Sequence, residues 1–180
     1  PEELLVGARS IVSLGISYRP EESPDSAQEG ELRGKVAVYA WGGDYHQVIK
    51  QRMKTLVETV SAKLERSIRS RWYVDDGPML DRAAAYRAGT GWFGKNTNIL
   101  TGQYGSWVFL GQIITDLNLT PDLPLKKTCG QCTRCLEACP TSAFTGPYEM
   151  ENTRCISYLT IENRGPIPHE LRPLMQDWVF

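Results

Sequence analysis

Four cysteines within eleven consecutive residues, Cys129, Cys132, Cys135 and Cys139, followed at once by Pro140, constrain this chain more than any other feature. They spell C-x2-C-x2-C-x3-C-P, the spacing of bacterial ferredoxin-type iron–sulfur sites. Two-residue spacers wrap the backbone tightly enough for three thiolates to reach three irons of one 4Fe–4S cube. The fourth cysteine begins a helical turn that faces away, toward a second cube, and Pro140 turns the chain out. Structural zinc competes for this pattern, but it asks for ligand pairs a dozen or more residues apart. A disulfide framework needs a cysteine-dense secreted chain, and most of this sequence has no cysteine.

The thiolate count leaves a gap. Two cubes need about eight thiolates. With Cys155 the chain offers five, so a further cysteine-rich segment is expected beyond Phe180. The ends point the same way: Pro1 leads quickly into core-like sequence, and Asp177-Trp178-Val179-Phe180 is an apolar stop. Natural termini are usually polar and frayed, so the expectation is a segment of a longer protein.

Bulk properties exclude little else. A net charge of −1 sets up no global field toward nucleic acid or an anionic membrane. No apolar run approaches the roughly 18 residues of a transmembrane span, so no membrane partner is expected.

Val12, Leu14, Ile16 and Tyr18 alternate with Ser13, Gly15 and Ser17, the period of a strand with one apolar face and one small-residue face. The small face admits a cofactor or a tightly packed helix. Residues 19–34 read as a flexible surface loop, and Val36 to Trp41 as a return to strand. Asp44 and Gln47 have capping-box spacing, and Tyr45, Val48, Ile49, Met53, Leu56, Val60 and Leu64 follow at helical intervals, predicting a helix from Tyr45 to Ile68. Its end carries Lys63, Arg66 and Arg69, with Arg71 beyond. These cations either complement the helix dipole or contact phosphates.

Trp72 to Val74 reads as a short strand ending in the turn Asp75-Asp76-Gly77-Pro78, and Asp81 to Ala88 as a helix. Asn96–Leu100 and Ser106–Thr115 are expected to pair as a hairpin around residues 101–105. The composition shifts at Pro121, giving an expected division into residues 1–120 and 121–180. Gly89-Thr90-Gly91-Trp92-Phe93-Gly94 matches G-x-G-x-x-G, and with Lys95 the phosphate-loop spacing, but a helix precedes it and a strand follows, the reverse of what such loops require. A helix stop and a close backbone approach explain the glycines better. His46 and His169 read as surface or helix-end residues.

Several blocks then match together. Tyr73-Val74-Asp75-Asp76-Gly77-Pro78, Asp81-Arg82-Ala83, Arg87-Ala88-Gly89-x-Gly91 and Gly94-Lys95-Asn96 precede the cysteines, and Arg154 to Glu162 and Gly165-Pro166-Ile167-Pro168 follow. The set resembles the epoxyqueuosine reductase family of tRNA-modification enzymes. The resemblance implies an α+β fold: a nitroreductase-like cobalamin-binding domain over residues 1–120, then a ferredoxin-like 4Fe–4S module over 121–180, both incomplete in this chain. It implies a cytoplasmic oxidoreductase that converts epoxyqueuosine to queuosine in the tRNA anticodon loop, the last step of queuosine biosynthesis. Cobalamin and two 4Fe–4S clusters are its implied cofactors, and an external electron donor is a further partner.

Carried onto these residues, the resemblance makes Asp75 the proton donor. On the sequence alone, Asp75 and Asp76 form an acidic pair beside Trp72 and Tyr73, where repulsion and burial raise one pKa, or else serve as turn and cap residues. Ser157, Arg82, Lys95, Asn96 and Ile99 are the expected cobalamin contacts. Cys129, Cys132, Cys135, Cys139 and Cys155 are the metal ligands. Tyr45, Arg66 and Arg69 are the expected substrate contacts. Two rival functions share part of the pattern: a cobalamin and iron–sulfur reductive dehalogenase, and a plain electron-transfer module. The roughly 120 residues ahead of the cysteines exceed what a simple ferredoxin needs.

Overall fold

The computed structural model describes residues 1–21 and 33–180. Most of the surface loop expected at 19–34 lies outside the described residues. The chain forms two compact units, and no single cut separates them: residues 1–18, 42–92 and 99–127 make the first, and residues 19–41, 93–98 and 128–180 the second. Both mix helices and strands.

The first unit is built on an antiparallel sheet in the order β1 (Ser10–Ser17), β5 (Val108–Thr115), β2 (Ser70–Tyr73). Ser13 and Tyr73 both face Gln112 across the central strand. The other elements of the unit are α1 (Tyr45–Lys63), α2 (Asp81–Arg87) and the short strands β3 (Trp92–Phe93) and β4 (Ile99–Leu100). Side chains alternate across a strand, so β5 presents Gly111 and Ile113 to α1 and Gln112 and Ile114 toward α2. Ile49, Met53, Val74 and Ile113 form the core on the α1 side, with Val12, Leu14 and Ile16 of β1 packed against them. Each such buried side chain contributes about 1.5–3 kcal/mol. On the other face of β1, the small residues receive the α2 region: a Cβ on Gly15 would meet Thr90 Cγ2 at 3.5 Å.

Three expectations change. Helix α1 stops at Lys63, not Ile68, because Glu65 takes a left-handed φ of 51° and the Arg66 N–H closes back on the Ser61 carbonyl. The segment 36–41 holds a 3-10 turn at Val38–Ala40. The 96–100/106–115 hairpin does not form: β4 pairs with β3, β5 pairs with β1 and β2, and Thr101 and Gly105 bond to each other across their own turn. The apolar alternation of β5 revealed a strand but carried no information about its partner.

Gly89, at φ 70°, ends α2 as expected, with the Thr90 N–H reaching the Ala85 carbonyl. At Gly91 a Cβ would lie 2.4 Å from the Leu100 carbonyl oxygen, so this glycine is required by protein packing.

The second unit contains α3 (Arg134–Glu137), the ribbon β6 (Phe144–Gly146) and β7 (Glu149–Met150), α4 (Ile156–Ile161) and α5 (Arg172–Met175). Its core is Leu159, Leu171 and Met175, flanked by Ile156, Tyr158 and Ile167. Residues 35–37 run beside 177–180 through main-chain bonds, among them Lys35 N–H to Asp177 O at 2.6 Å and Ala37 N–H to Phe180 O at 2.9 Å.

Candidate active site

The turn after β2 puts two carboxylates to different uses. Asp75 is exposed at a left-handed φ of 51°, a conformation that Asp tolerates better than most residues. Gly77 follows at φ 70°, and a Cβ there would sit 2.7 Å from the Tyr73 ring, so only glycine lets the turn close over that ring. Tyr45, at the start of α1, donates its hydroxyl proton to Asp75 Oδ2 at 2.9 Å while its ring stacks on Phe109 at 4.2 Å. Asp76 turns inward. Its Oδ1 accepts the Val74 N–H at 2.7 Å, and its Oδ2 takes the Lys50 ammonium at 2.5 Å. Partial burial pushes the Asp76 carboxyl up, but the Lys50 and Val74 bonds outweigh it and hold the group below the ordinary carboxylate range. Asp76 is thus the ionised, structural member of the pair.

Asp81, at the first position of α2, is pushed up by burial, with the charges of Asp75 and Asp76 adding to it. Its Oδ1 is buried without a hydrogen-bond partner, as are Gln112 Oε1 and Ser13 Oγ. Gln112, fully buried at 0% exposure, donates its amide N–H to the Asp81 carbonyl at 3.4 Å. Sequence reasoning missed Lys50, Gln112 and the environment of Asp81. Lys50 lies five residues after Tyr45 on a recognised helix, and that spacing was the only available signal.

Arg66 and Arg69, beyond α1, are already engaged. Asp116, whose side chain is 15% exposed, accepts from Arg66 Nη2 at 3.2 Å and Arg69 Nε at 3.5 Å, and also from the Arg69 N–H. His46 bonds to the helix-capping Asp44 through its N–H at 2.9 Å and its ring Nδ1 at 2.8 Å, so it is a helix-end residue.

The expected cofactor contacts divide between the units. Arg82 is on α2, and Ile99 is core at 3% exposure. In the second unit, Lys95 donates to the Gly130 carbonyl at 2.8 Å, Asn96 Oδ1 accepts the Asn98 N–H at 3.3 Å, and Ser157 lies exposed on α4.

All five cysteines are free thiols in the second unit. Cys132 N–H bonds to the Cys129 carbonyl at 3.0 Å around Gly130, whose φ is 51°. Cys135 lies within α3, and Cys139 follows its end. Cys139 Sγ accepts the Ala143 N–H at 3.3 Å. Burial pushes this thiol up, but donors from Ala143, Thr141 and Phe144 outweigh it and favour the thiolate, the form that binds metal. Among the described residues no three His, Cys, Asp or Glu side chains gather at the spacing of a single ion. A cube, larger than one ion, holds its ligands over a wider cage, and an all-thiol donor set suits it.

The chain matches two family models. Residues 1–76 match the one described as epoxyqueuosine reductase QueG, DUF1730, and residues 128–180 match a 4Fe–4S double cluster binding domain. The chain is 44% identical over 178 residues to the epoxyqueuosine reductase of Synechocystis, covering 98% of itself and 60% of that relative. The chain belongs to the epoxyqueuosine reductase family. A solved epoxyqueuosine reductase in complex with an epoxyqueuosine-modified tRNA-Tyr stem loop is 39% identical and superposes with a TM-score of 0.88, over 99% of this chain and 47% of that one. The Bacillus subtilis epoxyqueuosine reductase, solved with its catalytic aspartate loop swung out of the active site, is 37% identical with the same TM-score, over 99% and 47%. The chain thus spans between about half and three-fifths of the length of these relatives.

Proposed function

We propose that this chain carries the catalytic aspartate and the first five cluster cysteines of an enzyme that reduces epoxyqueuosine to queuosine in the tRNA anticodon loop. The observation that carries the reading is the pairing of an exposed aspartate on a tied turn with a separate unit whose thiols match a double-cluster domain. The stem-loop complex of a 39%-identical epoxyqueuosine reductase supports tRNA as the substrate.

Removing an epoxide oxygen to leave an alkene takes two electrons and two protons and releases water. The clusters fit the electron half, because iron–sulfur centres pass single electrons at low potential. Cys129, Cys132 and Cys135 supply three ligands to one cube, and Cys139 and Cys155 supply two to the other. The remaining ligands come from sequence beyond this chain, and the electrons from an external donor.

The first unit, read as nitroreductase-like, suits cobalamin, and the second is read as ferredoxin-like. Unmatched buried polar atoms on Ser13, Asp81 and Gln112 fit a macrocycle rimmed with amides. Arg82 adds a polar contact from α2, and Ile99 supports from within the core of the same unit; in the second unit Lys95 steadies the Gly130 loop. When bound, cobalamin supplies a strongly reducing cobalt for the epoxide carbon. This chain supplies the first of the two protons: Asp75 protonates the oxygen as its bond to carbon breaks, and solvent supplies the second as water leaves.

The test is Asp75→Asn in the complete, cofactor-loaded enzyme. Turnover should be abolished while iron content and the cobalamin spectrum stay at wild-type levels. Full activity in that variant would reassign the acid.

A further inference from the structure

Asp75 is exposed, lies on a turn with an unfavourable backbone φ, and has two chemically equivalent oxygens. A proton donor needs more definition than that, and α1 provides it. Tyr45 and Lys50, five residues apart on the same helix, each bond to one of the adjacent aspartates. Asp76 in turn accepts the N–H of Val74, which is fully buried, so the Lys50 contact is continuous with the core.

We propose that Tyr45 and Lys50 form a two-point latch that holds the aspartate turn in place and directs the transferable proton of Asp75 to Oδ1. The inference rests on Asp75 being the proton donor. The Tyr45 hydroxyl donates to Oδ2, so that oxygen is occupied as an acceptor and the acidic hydrogen resides on Oδ1. In the transfer, the Oδ1–H bond breaks and an O–H bond forms on the departing epoxide oxygen. Asp75 is left as a carboxylate, and the Tyr45 bond becomes charge-assisted and therefore stronger. The latch moves no electrons, and solvent returns the proton to the exposed carboxyl. Lys50 acts through Asp76: its ammonium keeps that neighbour ionised and bonded to Val74, so only one of the two carboxyls is free to act as an acid.

The ionisable groups around Asp75 are Tyr45, His46 and Lys50 of α1, Asp76 of the turn, Tyr73 of β2, and Asp81 of α2. β1, β4 and β5 carry none. Tyr45→Phe, which keeps the stacked ring, should lower kcat about tenfold with KM within about twofold, the signature of an interaction made mainly in the transition state. Lys50→Met should speed amide hydrogen exchange at Val74, the residue whose N–H Asp76 holds.

These measurements belong on the complete enzyme with its cofactors. If Tyr45→Phe leaves kcat unchanged while Asp75→Asn is inactive, the latch is overturned and the proton donor stands. If Lys50→Met leaves Val74 exchange unchanged, the second point of the latch is wrong. If Asp75→Asn is fully active, the proton-donor reading fails and the directing role of Tyr45 falls with it.

Discussion

Substituting Gly91 by alanine tests whether the glycine-rich segment is a packing device or a ligand cradle. The new Cβ would lie 2.4 Å from the Leu100 carbonyl oxygen and 2.5 Å from Ile99 Cγ2. Real Cβ contacts essentially never fall below 3.0 Å, so backbone has to move. Ile99 is 3% exposed and has no solvent to swing into, and the carbonyl belongs to a strand already paired with β3. Overpacking of this kind costs about 1–3 kcal/mol. With a urea m-value of about 1–3 kcal/mol/M, the midpoint should fall by roughly 1 M. Gly43→Ala is the control, since nothing lies within 4 Å of its Cβ position, and its stability should change by less than about 0.5 kcal/mol. Urea titrations followed by tryptophan fluorescence, with Trp92 as the adjacent reporter, read both. A Gly91→Ala midpoint equal to that of Gly43→Ala would refute the packing argument.

Three further outcomes follow from the site. The native carboxyl of Asp76 titrates below its ordinary range, so its contribution to stability is present above that range and is lost as pH falls through the native value; Asp76→Asn should flatten the acid limb of a stability–pH curve. Asp81 is shifted the other way, so its contribution is present at low pH and is lost as pH rises through the native value; Asp81→Asn should remove that decline. Arg66 and Arg69 are both held by Asp116, so replacing both by Gln takes the cluster from one net positive to one net negative charge and should flatten the salt slope of tRNA binding by the number of phosphates the two reach, at most about 2; an unchanged slope would remove them from the tRNA surface.

The sequence was most informative where one local rule decides the structure. The alternation from Val12 to Tyr18 and the Asp44-capped periodicity of α1 are both present, because burial of one face suffices to specify each. It was least informative where a long-range partner decides. Strand β5 carries apolar residues on both faces because a helix covers each, and nothing in such a strand names its neighbours. The ribbon β6–β7 went unread because Tyr148, a non-glycine at φ 70°, makes its turn. In the site, the turn signal at Asp75-Asp76 was legible. The division of labour between the two carboxylates was not, since it depends on Tyr45 and Lys50 arriving from thirty and twenty-six residues away. The Arg66–Arg69 cluster looked free because its counter-ion, Asp116, is 47 residues beyond Arg69.

The most direct measurement is nucleoside mass spectrometry on an epoxyqueuosine-modified tRNA stem loop. The stem loop would be incubated anaerobically with the complete protein, reconstituted with iron, sulfide and cobalamin and supplied with a reductant. The account predicts conversion to a nucleoside lighter by one oxygen atom, dependent on Asp75. An unchanged nucleoside, from protein shown to hold both clusters and cobalamin, would contradict it.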